Sequence, residues 1–547
     1  MIASRLALVL AAVWLAACKD DITQGGPPPN PQSVSVLTQH NDNTRAGWND
    51  HETALTTSTV NQQHFGKVFT LAVDDQVWAQ PLVVGHLHVQ GGDHNVVYVA
   101  TVDNTLYAFD GDEGTLYWVK NYTAPSMRPP RNTDMTGACN GNYTDFSGNI
   151  GIVGTPVIDS TRQLLYVVVR STTGSAFVQY LHAVSLIDGS EAAGSPVQIT
   201  ATTPGSGDGS VNNVITFNGQ TQNQRQALTL VNGVVYVTFS SHCDWGPYHG
   251  WVLGYDAVTL QQRTVYNVTP NGYAGGMWES GGGMAADAAG NLYVVAGNGT
   301  VGDSTDPTSL TNRGESALKL VPSGATLQVA SYFTPNDYQF LNDNDIDYGS
   351  VGSLLIPNTS YFLTGGKDGN LYLLNKDAMG GYQAAGNQVQ QVVQLTSSEM
   401  HCQLAYYRSS TQEFVYVWPE NNPLRAIPFD RGTNRLDLVA AQINGAGGPT
   451  GHSGAMLAVS SDGSKAGTAI VWAAYAQSGD AEHDVSPGIL RAFDATDITQ
   501  QLWSSTLVAS RDVVGNYAKF AAPTIANGHV YLPTFSNQVA VYGILPP

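Results

Sequence analysis

The chain has 547 residues, of which 42% are hydrophobic and 12% charged, and its formal net charge is −20 at pH 7. That length suffices for a large folded core. The acidic balance argues against nucleic acid and anionic lipid surfaces as partners, because sequence-independent binding to both comes from basic patches.

The N-terminus is typical of an exported protein. One basic residue, Arg5, precedes the apolar run LALVLAAVWLAA, which is too short to span a bilayer. The following Leu15-Ala16-Ala17-Cys18 resembles the bacterial lipobox, in which the cysteine becomes the acylated N-terminus after cleavage. We therefore predict a lipoprotein signal at residues 1–17, and an acylated Cys18 with a Pro-rich tether at 18–40. An ordinary signal with an incidental cysteine is the alternative.

The residue after this cysteine, Lys19, favours sorting to the outer membrane. The predicted location is therefore the bacterial cell envelope, as an outer-membrane lipoprotein or at the cell surface. Membrane contact is expected through the lipid anchor only.

Residues 41–547 repeat a unit of four short strands eight times. Its second strand is the clearest marker, at Val96–Ala100, Leu164–Val169, Val234–Phe239, Leu292–Ala296, Tyr361–Gly365, Phe414–Trp418, Ala469–Tyr475 and His529–Phe535. The β-branched and aromatic residues of these runs, with Gly, Asn and Asp between them, suit strands joined by tight turns. A unit that cannot bury its own face must stack on copies of itself.

The eighth unit contains three strands, and Phe65–Val73, which precedes the first unit, can supply the fourth. This arrangement closes a ring between the two ends of the chain, which leaves only short protected sheet edges. The predicted fold class is therefore all-β: an eight-bladed β-propeller with four-stranded blades, closed by an N-terminal strand.

The long connections fall into two classes, those from a fourth strand to the next blade and those from a second to a third strand. Both classes emerge on one face of a propeller, around the mouth of its central channel. Elaborated loops on a rigid scaffold are where binding sites are usually built. We therefore expect a small-molecule, saccharide or protein ligand at this channel mouth.

One such loop, 241–251, has the sequence SHCDWGPYHGW. Its His242, Tyr248 and His249 are candidate catalytic residues, since imidazole moves protons or binds metal near neutral pH and a phenol can act beside it. The alternative is that the aromatic rings pack the loop down and the histidines hydrogen-bond to backbone. Glu279 is a fourth candidate, because it precedes three glycines, where backbone can approach a ligand closely.

Polar residues begin the first strands and are expected to ring the channel mouth: Gln80, Arg225, Glu279, Asp347, His401, His452 and Lys519. Three aspartates, Asp343, Asp345 and Asp347, alternate in LNDNDIDYGS and are candidate oxygen ligands for calcium. A solvated acidic loop is the alternative. Besides Cys18 the chain has three cysteines, so at least one thiol is free or forms an intermolecular bond, and the pairing stays open.

The opening HNDNTRAGWNDHETALTTSTVNQQHFGKVFTL and the repeats LYAFDGDEGTLYW and LRAFDATDITQQLW resemble the PQQ-like propeller superfamily. That superfamily contains quinoprotein alcohol dehydrogenases and also non-enzymatic outer-membrane assembly lipoproteins. More narrowly, SHCDWGPYHGWVLGYDA and NYAKFAAPTIANGHVYLPTFSNQVAVYG are similar to a group of bacterial secreted PQQ-like repeat proteins. The resemblance implies the fold over nearly all of residues 40–545, but not the function, because propellers host unrelated activities.

The resemblance also implies candidate cofactor contacts for PQQ and Ca²⁺. Lys367 and Asp368 lie where the family places a basic cofactor contact, or form a plain turn; Trp278 and Lys519 are further candidates. The adjacent cysteine pair that caps the cofactor in those enzymes is missing from this sequence. The family's tryptophan-docking motif is matched fully only in the first and seventh repeats, at Trp118 and Trp503.

The leading prediction is therefore a lipid-anchored binding or assembly scaffold. The alternatives are a PQQ-dependent dehydrogenase of alcohols or sugars and a propeller-type polysaccharide lyase using His and Tyr. Whether the chain is an enzyme stays open.

Overall fold

The computed structural model describes residues 33–146, 148–445 and 447–546. The predicted signal and Cys18 lie outside the described residues. One compact unit begins at Ser33, so the last residues assigned to the tether, 33–40, belong to it. Among the described residues, no helix has the length and apolar character needed to cross a bilayer.

Eight antiparallel sheets form the blades, which confirms the predicted eight-bladed propeller. The strands of blades 1 to 4 are Leu82–Val89, Gly92–Ala100, Thr105–Asp110 and Leu116–Asn121; Val157–Asp159, Leu164–Thr172, Phe177–Ser185 and Val197–Gln198; Thr229–Val231, Val234–Ser241, Trp251–Asp256 and Gln262–Asn267, with Gln222–Asn223 added; and Ala285–Ala286, Leu292–Ala296, Ser316–Ser323 and Thr326–Phe333.

The strands of blades 5 to 8 are Tyr348–Leu355, Tyr361–Gly366, Asn370–Asn375 and Gln391–Gln394; Ala405–Arg408, Glu413–Val417, Leu424–Asp430 and the pair Arg435–Leu436 and Gln442–Asn444; Met456–Ser460, Ile470–Ala476, Gly488–Asp494 and Asp497–Ser504; and Thr524–Ala526, His529–Pro533, Gln538–Ile544 and Phe65–Ala72. The last strand pairs antiparallel with Gln538–Ile544, with Phe65 opposite Ile544 and Ala72 opposite Gln538. The predicted ring closure is therefore confirmed.

Short elements that the sequence patterns did not reveal lie in the connections. They are the helices Tyr338–Asp343 and Ala509–Asp512, the 3-10 turns Asn132–Asp134, Ala138–Gly141 and Glu279–Gly281, and a hairpin of Thr202–Pro204 with Val214–Thr216. Each has six residues or fewer, too short for a hydrophobic period to mark it.

The core lies between neighbouring blades, where apolar side chains from alternate strand positions meet. Two tryptophans of the repeat join adjacent blades. The indole of Trp118 in blade 1 donates to the carbonyl of Leu186 in blade 2 at 3.1 Å. Trp503 in blade 7 packs edge-on against Phe65 in blade 8, with ring centroids 5.0 Å apart. These contacts join blade 1 to blade 2 and blade 7 to blade 8.

Residues 36–49, here called the N-terminal segment, cross the channel and hydrogen-bond to the innermost strands or their immediate flanks in every blade. The contacts are Val36 with Val83, Leu37 with Ile158, Asn43 with Leu230 and Ala286, Thr44 with Leu355, Ala46 with Tyr406, Gly47 with Val459, and Asn49 with Ile525. A short parallel strand, Trp48–Asn49, extends blade 7. The segment therefore ties the innermost strands of all eight blades together.

The side chain of Arg45 anchors this segment and is only 2% exposed. Its guanidinium donates to Thr38 Oγ1 at 2.7 Å, to Thr229 Oγ1 at 2.7 Å and to the carbonyls of Gln39, Leu228 and Met284. A Cβ added to Gly283 would lie 2.6 Å from this guanidinium. The glycine run 281–283 therefore accommodates the protein's own arginine.

Candidate functional site at the channel mouth

A cavity of about 750 Å³, open to solvent, lies at the other end of the channel. It is lined by residues that precede the first strands and by loops between second and third strands: Asp145, Arg225, Cys243, Asp244, Trp278, Asp345, Asp347, Ser350, Lys367, His401, His452, Glu482, His483, Lys519 and Phe520. Five of the seven predicted ring residues are among them. Gln80 and Glu279 are the two that the cavity does not reach.

Two cations lie on the cavity wall: Lys519 is buried and Arg225 is half-buried. The Arg225 guanidinium lies 4.3 Å from the ring centroid of Phe520 and 5.3 Å from that of Trp278. The ammonium of Lys519, which is 3% exposed, contacts the carbonyl of Glu482. Within the described part of the chain neither cation forms a salt bridge. Burial lowers the pKa of Lys519 to about 8, although the charges of Asp145, Glu482 and Asp480 act in the opposite direction.

The third cation, Lys367, is paired. Its ammonium lies 2.8 Å from Asp347 Oδ2 and 3.3 Å from Asp345 Oδ2. Burial opposes the charge, but the two carboxylates raise the pKa of Lys367 above its usual value. Asp343, the third predicted calcium ligand, lines a neighbouring cavity at the end of helix Tyr338–Asp343. The fold therefore brings two of the three aspartates together around an ammonium group.

Asp368, the neighbour of Lys367, faces its own turn and strand. Its carboxylate accepts hydrogen bonds from the Asn370 amide and the Tyr372 hydroxyl. It does not line the cavity, whereas Lys367 does. Of the four predicted cofactor contacts, Lys367, Lys519 and Trp278 therefore reach the cavity.

A disulfide joins two of the mouth loops. Cys139 and Cys243 are bonded, 104 residues apart in sequence, and Cys402 is a buried free thiol. Cys243 lies on the cavity wall. The connectivity that the sequence left open is thus decided by the fold, which places loops 122–149 and 241–251 side by side.

The three loop residues predicted to be catalytic are buried behind this wall. His242 is 0% exposed and lies between Tyr143 OH at 2.9 Å and Arg170 Nη1 at 2.6 Å. Burial and the Arg170 charge hold the pKa of His242 well below its usual value. His242 does not line the cavity.

The other two loop residues are held in a similar way. His249 bonds to Thr269 Oγ1 at 3.0 Å and the Asp208 carbonyl at 2.9 Å, and Tyr248 donates to Asp244. Tyr248 borders the neighbouring cavity, but is only 5% exposed. These contacts match the alternative in which the loop packs down on its own side chains.

Glu279 is also fully buried, in a 3-10 turn beneath Trp278. Its Oε1 accepts the Val295 amide at 2.8 Å. Burial raises the pKa of Glu279 to about 8, so the carboxyl is largely protonated at pH 7. The expected presentation of this carboxylate to a ligand at the mouth is therefore wrong.

Sequence patterns missed Glu420, which follows the second strand of blade 6. Its Oε1 lies 2.8 Å from His401 Nδ1 and 3.9 Å from His452 Nδ1. Asp145 and His483 were missed as well; they pair at 2.5 Å across the mouth. Their positions in long loops of the elaborated face were the available signal, but no residue pattern distinguished them.

The chain is thus an eight-bladed propeller with a cavity at one channel mouth. No protein-family model matches the chain, and no curated protein matches it by sequence. A quinohemoprotein alcohol dehydrogenase from Pseudomonas putida HK5 superposes with a TM-score of 0.57 and 14% identity, over 93% of this chain and 80% of that one.

The quinohemoprotein alcohol dehydrogenase from Comamonas testosteroni gives a TM-score of 0.57 and 13% identity, over 94% of this chain and 81% of that one. These likenesses support the PQQ-like propeller fold, and at such identity they show the fold alone. They make PQQ with Ca²⁺ the first cofactor pair to test against the cavity.

The residues present do not fit that pair. A flat quinone would stack on Trp278, but the Arg225 guanidinium already lies over this ring. The oxygens that would hold calcium, on Asp345 and Asp347, face Lys367 instead. The disulfide at the mouth joins cysteines 104 residues apart rather than neighbours.

Proposed function

We propose that this protein is a lipid-anchored propeller of the bacterial cell envelope that binds a small carboxylate-bearing ligand at the channel mouth. The observation that carries the proposal is a pair of cations on one cavity wall, the buried Lys519 and the half-buried Arg225, neither of which has a salt bridge among the described residues. A buried charge without a partner is costly, and an anionic ligand would remove that cost.

The surroundings of the two cations favour a carboxylate over an extended polyanion. The cavity also carries Asp145, Asp244 and Glu482, which would repel a ligand with charge spread over its whole length. Planar carboxylates match the fork of N–H donors on a guanidinium. Apolar rings from Trp278 and Phe520 offer a contact for the remainder of a small ligand, such as a sugar ring.

The test is a calorimetric titration with two compounds of the same shape, glucuronate and glucose, with citrate as a second anion. We expect glucuronate or citrate to bind and glucose not to bind. Lys519→Met and Arg225→Met should each weaken anion binding at least about tenfold, the effect of about 1.4 kcal/mol. Lys465→Met, an exposed lysine paired with Asp462, is the matched control.

Equal binding of glucose and glucuronate, or no binding of either anion, would contradict the proposal. Absorbance changes on adding PQQ with Ca²⁺ would support the dehydrogenase instead. Ultraviolet absorbance from an unsaturated uronate, formed on acidic polysaccharides, would support the lyase.

The envelope location is tested separately. Cys18→Ala should move the protein from the membrane fraction to the soluble fraction, because the acylated cysteine carries the predicted attachment. Membrane fractionation that survives this substitution would overturn the lipobox assignment.

A further inference from the structure

Two histidines and a glutamate converge at the rim of the cavity between blades 6 and 7. The ligand atoms of His401, Glu420 and His452 all lie within 4.8 Å of one another. Both imidazoles direct Nδ1 at the same carboxylate oxygen, at 2.8 and 3.9 Å. Their rings are 4.1 Å apart between centroids. Among the described residues, this is the one such group of three or more.

Three separate parts of the fold bring these side chains together. His401 precedes the first strand of blade 6, Glu420 follows the second strand of the same blade, and His452 precedes the first strand of blade 7. The two blades approach closely at Gly454, which has φ +75°. A Cβ there would lie 2.9 Å from the Trp418 carbonyl and 3.0 Å from Cys402 Cβ, so only glycine permits the approach.

From this geometry we propose that His401, Glu420 and His452 form a binding site for a divalent transition-metal ion, with its open coordination positions facing the cavity. Two imidazoles and one carboxylate are a common ligand set for Zn²⁺ and similar ions, which take the remaining ligands from water or substrate. Ligand bonds of about 2.0–2.2 Å require only small side-chain movements from the present spacing.

Burial and accessibility both suit the proposed site. Glu420 is 7% and His401 8% exposed, yet both histidines line the cavity. The hydrogen bond from His401 to Glu420 occupies the space that the ion would take.

The neighbouring thiol of Cys402 is not part of the set. It is fully buried, does not line the cavity, and is not among the side chains whose ligand atoms converge there. The metal would therefore have three protein ligands and at least one open position. Such an open position is typical of sites that bind a substrate or an anion directly.

The inference deepens the proposed function, on which it rests for the role of the open positions: a carboxylate held by Lys519 and Arg225 could also coordinate the ion. Metal binding itself needs no anion. The two ideas can therefore fail separately.

The experiment is a titration of tag-free, chelator-treated protein with ZnCl₂ alone, followed by calorimetry and by elemental analysis after dialysis. We expect one Zn²⁺ per chain. Removing an outer-shell partner of a metal ligand typically costs about 10–100-fold in metal affinity. His452→Ala, His401→Ala and Glu420→Gln each remove a ligand itself, so each should weaken Zn²⁺ binding by more than that.

His88→Ala is the matched control, since His88 forms an exposed pair with Asp93 at 2.8 Å and does not line the cavity. It should leave Zn²⁺ binding unchanged. The nearly isosteric Glu420→Gln, with an unchanged melting curve, separates loss of a ligand from loss of the fold.

No stoichiometric Zn²⁺ in the wild type, or full retention in the His401→Ala, His452→Ala double variant, would overturn the metal site. Anion binding by chelator-treated protein would leave the proposed function standing by itself. Zn²⁺ binding without anion binding would support the metal site alone.

Discussion

The two ends of the channel differ in the hydrogen-bond partners that they give to an arginine, the buried Arg45 at one end and the half-buried Arg225 at the other. At the first end, Arg45 donates to Thr38, Thr229 and three carbonyls. At the open end, Arg225 has two aromatic rings and one distant carbonyl, Trp278 O at 3.5 Å. The guanidinium of Arg45 thus has hydrogen-bond acceptors within the protein, whereas that of Arg225 has N–H donors left for a ligand.

This difference separates structural from functional polar residues. The N-terminal segment hydrogen-bonds near the innermost strand of every blade, and Arg45 holds it in place. Polar groups whose partners lie within the fold hold it together. Those that face the cavity without partners are the ones that a ligand can satisfy.

The largest expected effect is at Arg45. Arg45→Leu should lower the free energy of unfolding by at least about 3 kcal/mol, because each orphaned buried acceptor costs roughly 1–3 kcal/mol. Urea denaturation measures it. Arg263→Leu, with a side chain 60% exposed, is the control and should change stability by less than about 1 kcal/mol. Equal effects of the two substitutions would contradict the structural role of the N-terminal segment.

The open end depends on the disulfide between its loops. The Cys139→Ser, Cys243→Ser double variant should lose about 2–4 kcal/mol of stability, because the bond constrains a long loop in the unfolded chain. Thermal melting with and without a reducing agent measures this loss. The reducing agent should destabilise the wild type and leave the double variant unaffected; the same shift in both would show that the bond does not form.

Between the two ends, Glu279 should make stability depend on pH. Its pKa is about 8 in the folded state against an ordinary 4.5, so the folded protein keeps a proton that the unfolded chain releases. Stability should therefore fall as pH rises from 4.5 to 8. Glu279→Gln should match the wild type near pH 4.5 and exceed it by a few kcal/mol at pH 8, since one pKa unit is about 1.4 kcal/mol.

Chemical denaturation of both proteins across this range gives the difference directly. A constant difference between wild type and Glu279→Gln would show that the carboxyl is ionised in the fold.

The smallest expected effect concerns the ligand. Burial lowers the pKa of Lys519 to about 8, so its charge is present below that pH and lost above it. Affinity for glucuronate or citrate should therefore be full below pH 8 and fall above it, by up to about tenfold per pH unit. Lys519→Arg should bind without this pH dependence, since arginine stays charged. A flat profile in the wild type would exclude Lys519 from the site.

The repeat made the fold predictable. All eight second strands lie where the alternating apolar runs placed them, and Phe65–Ala72 completes the last blade as its apolar pattern indicated. The elaborated face was predictable too, because loop lengths follow from strand positions. The site residues were less predictable. His242 and Glu279 were predicted from their reactive side chains, but both are buried away from the cavity.

The sequence by itself determined the blades, their order and the face that carries the long loops, because strand periodicity and turn residues act over a few neighbours. Only the tertiary structure decided which side chains meet. It paired Cys139 with Cys243, set Lys367 against Asp345 and Asp347, and brought Glu420 to two histidines of neighbouring blades. Such contacts depend on the closure of the ring, which places residues hundreds of positions apart around one channel.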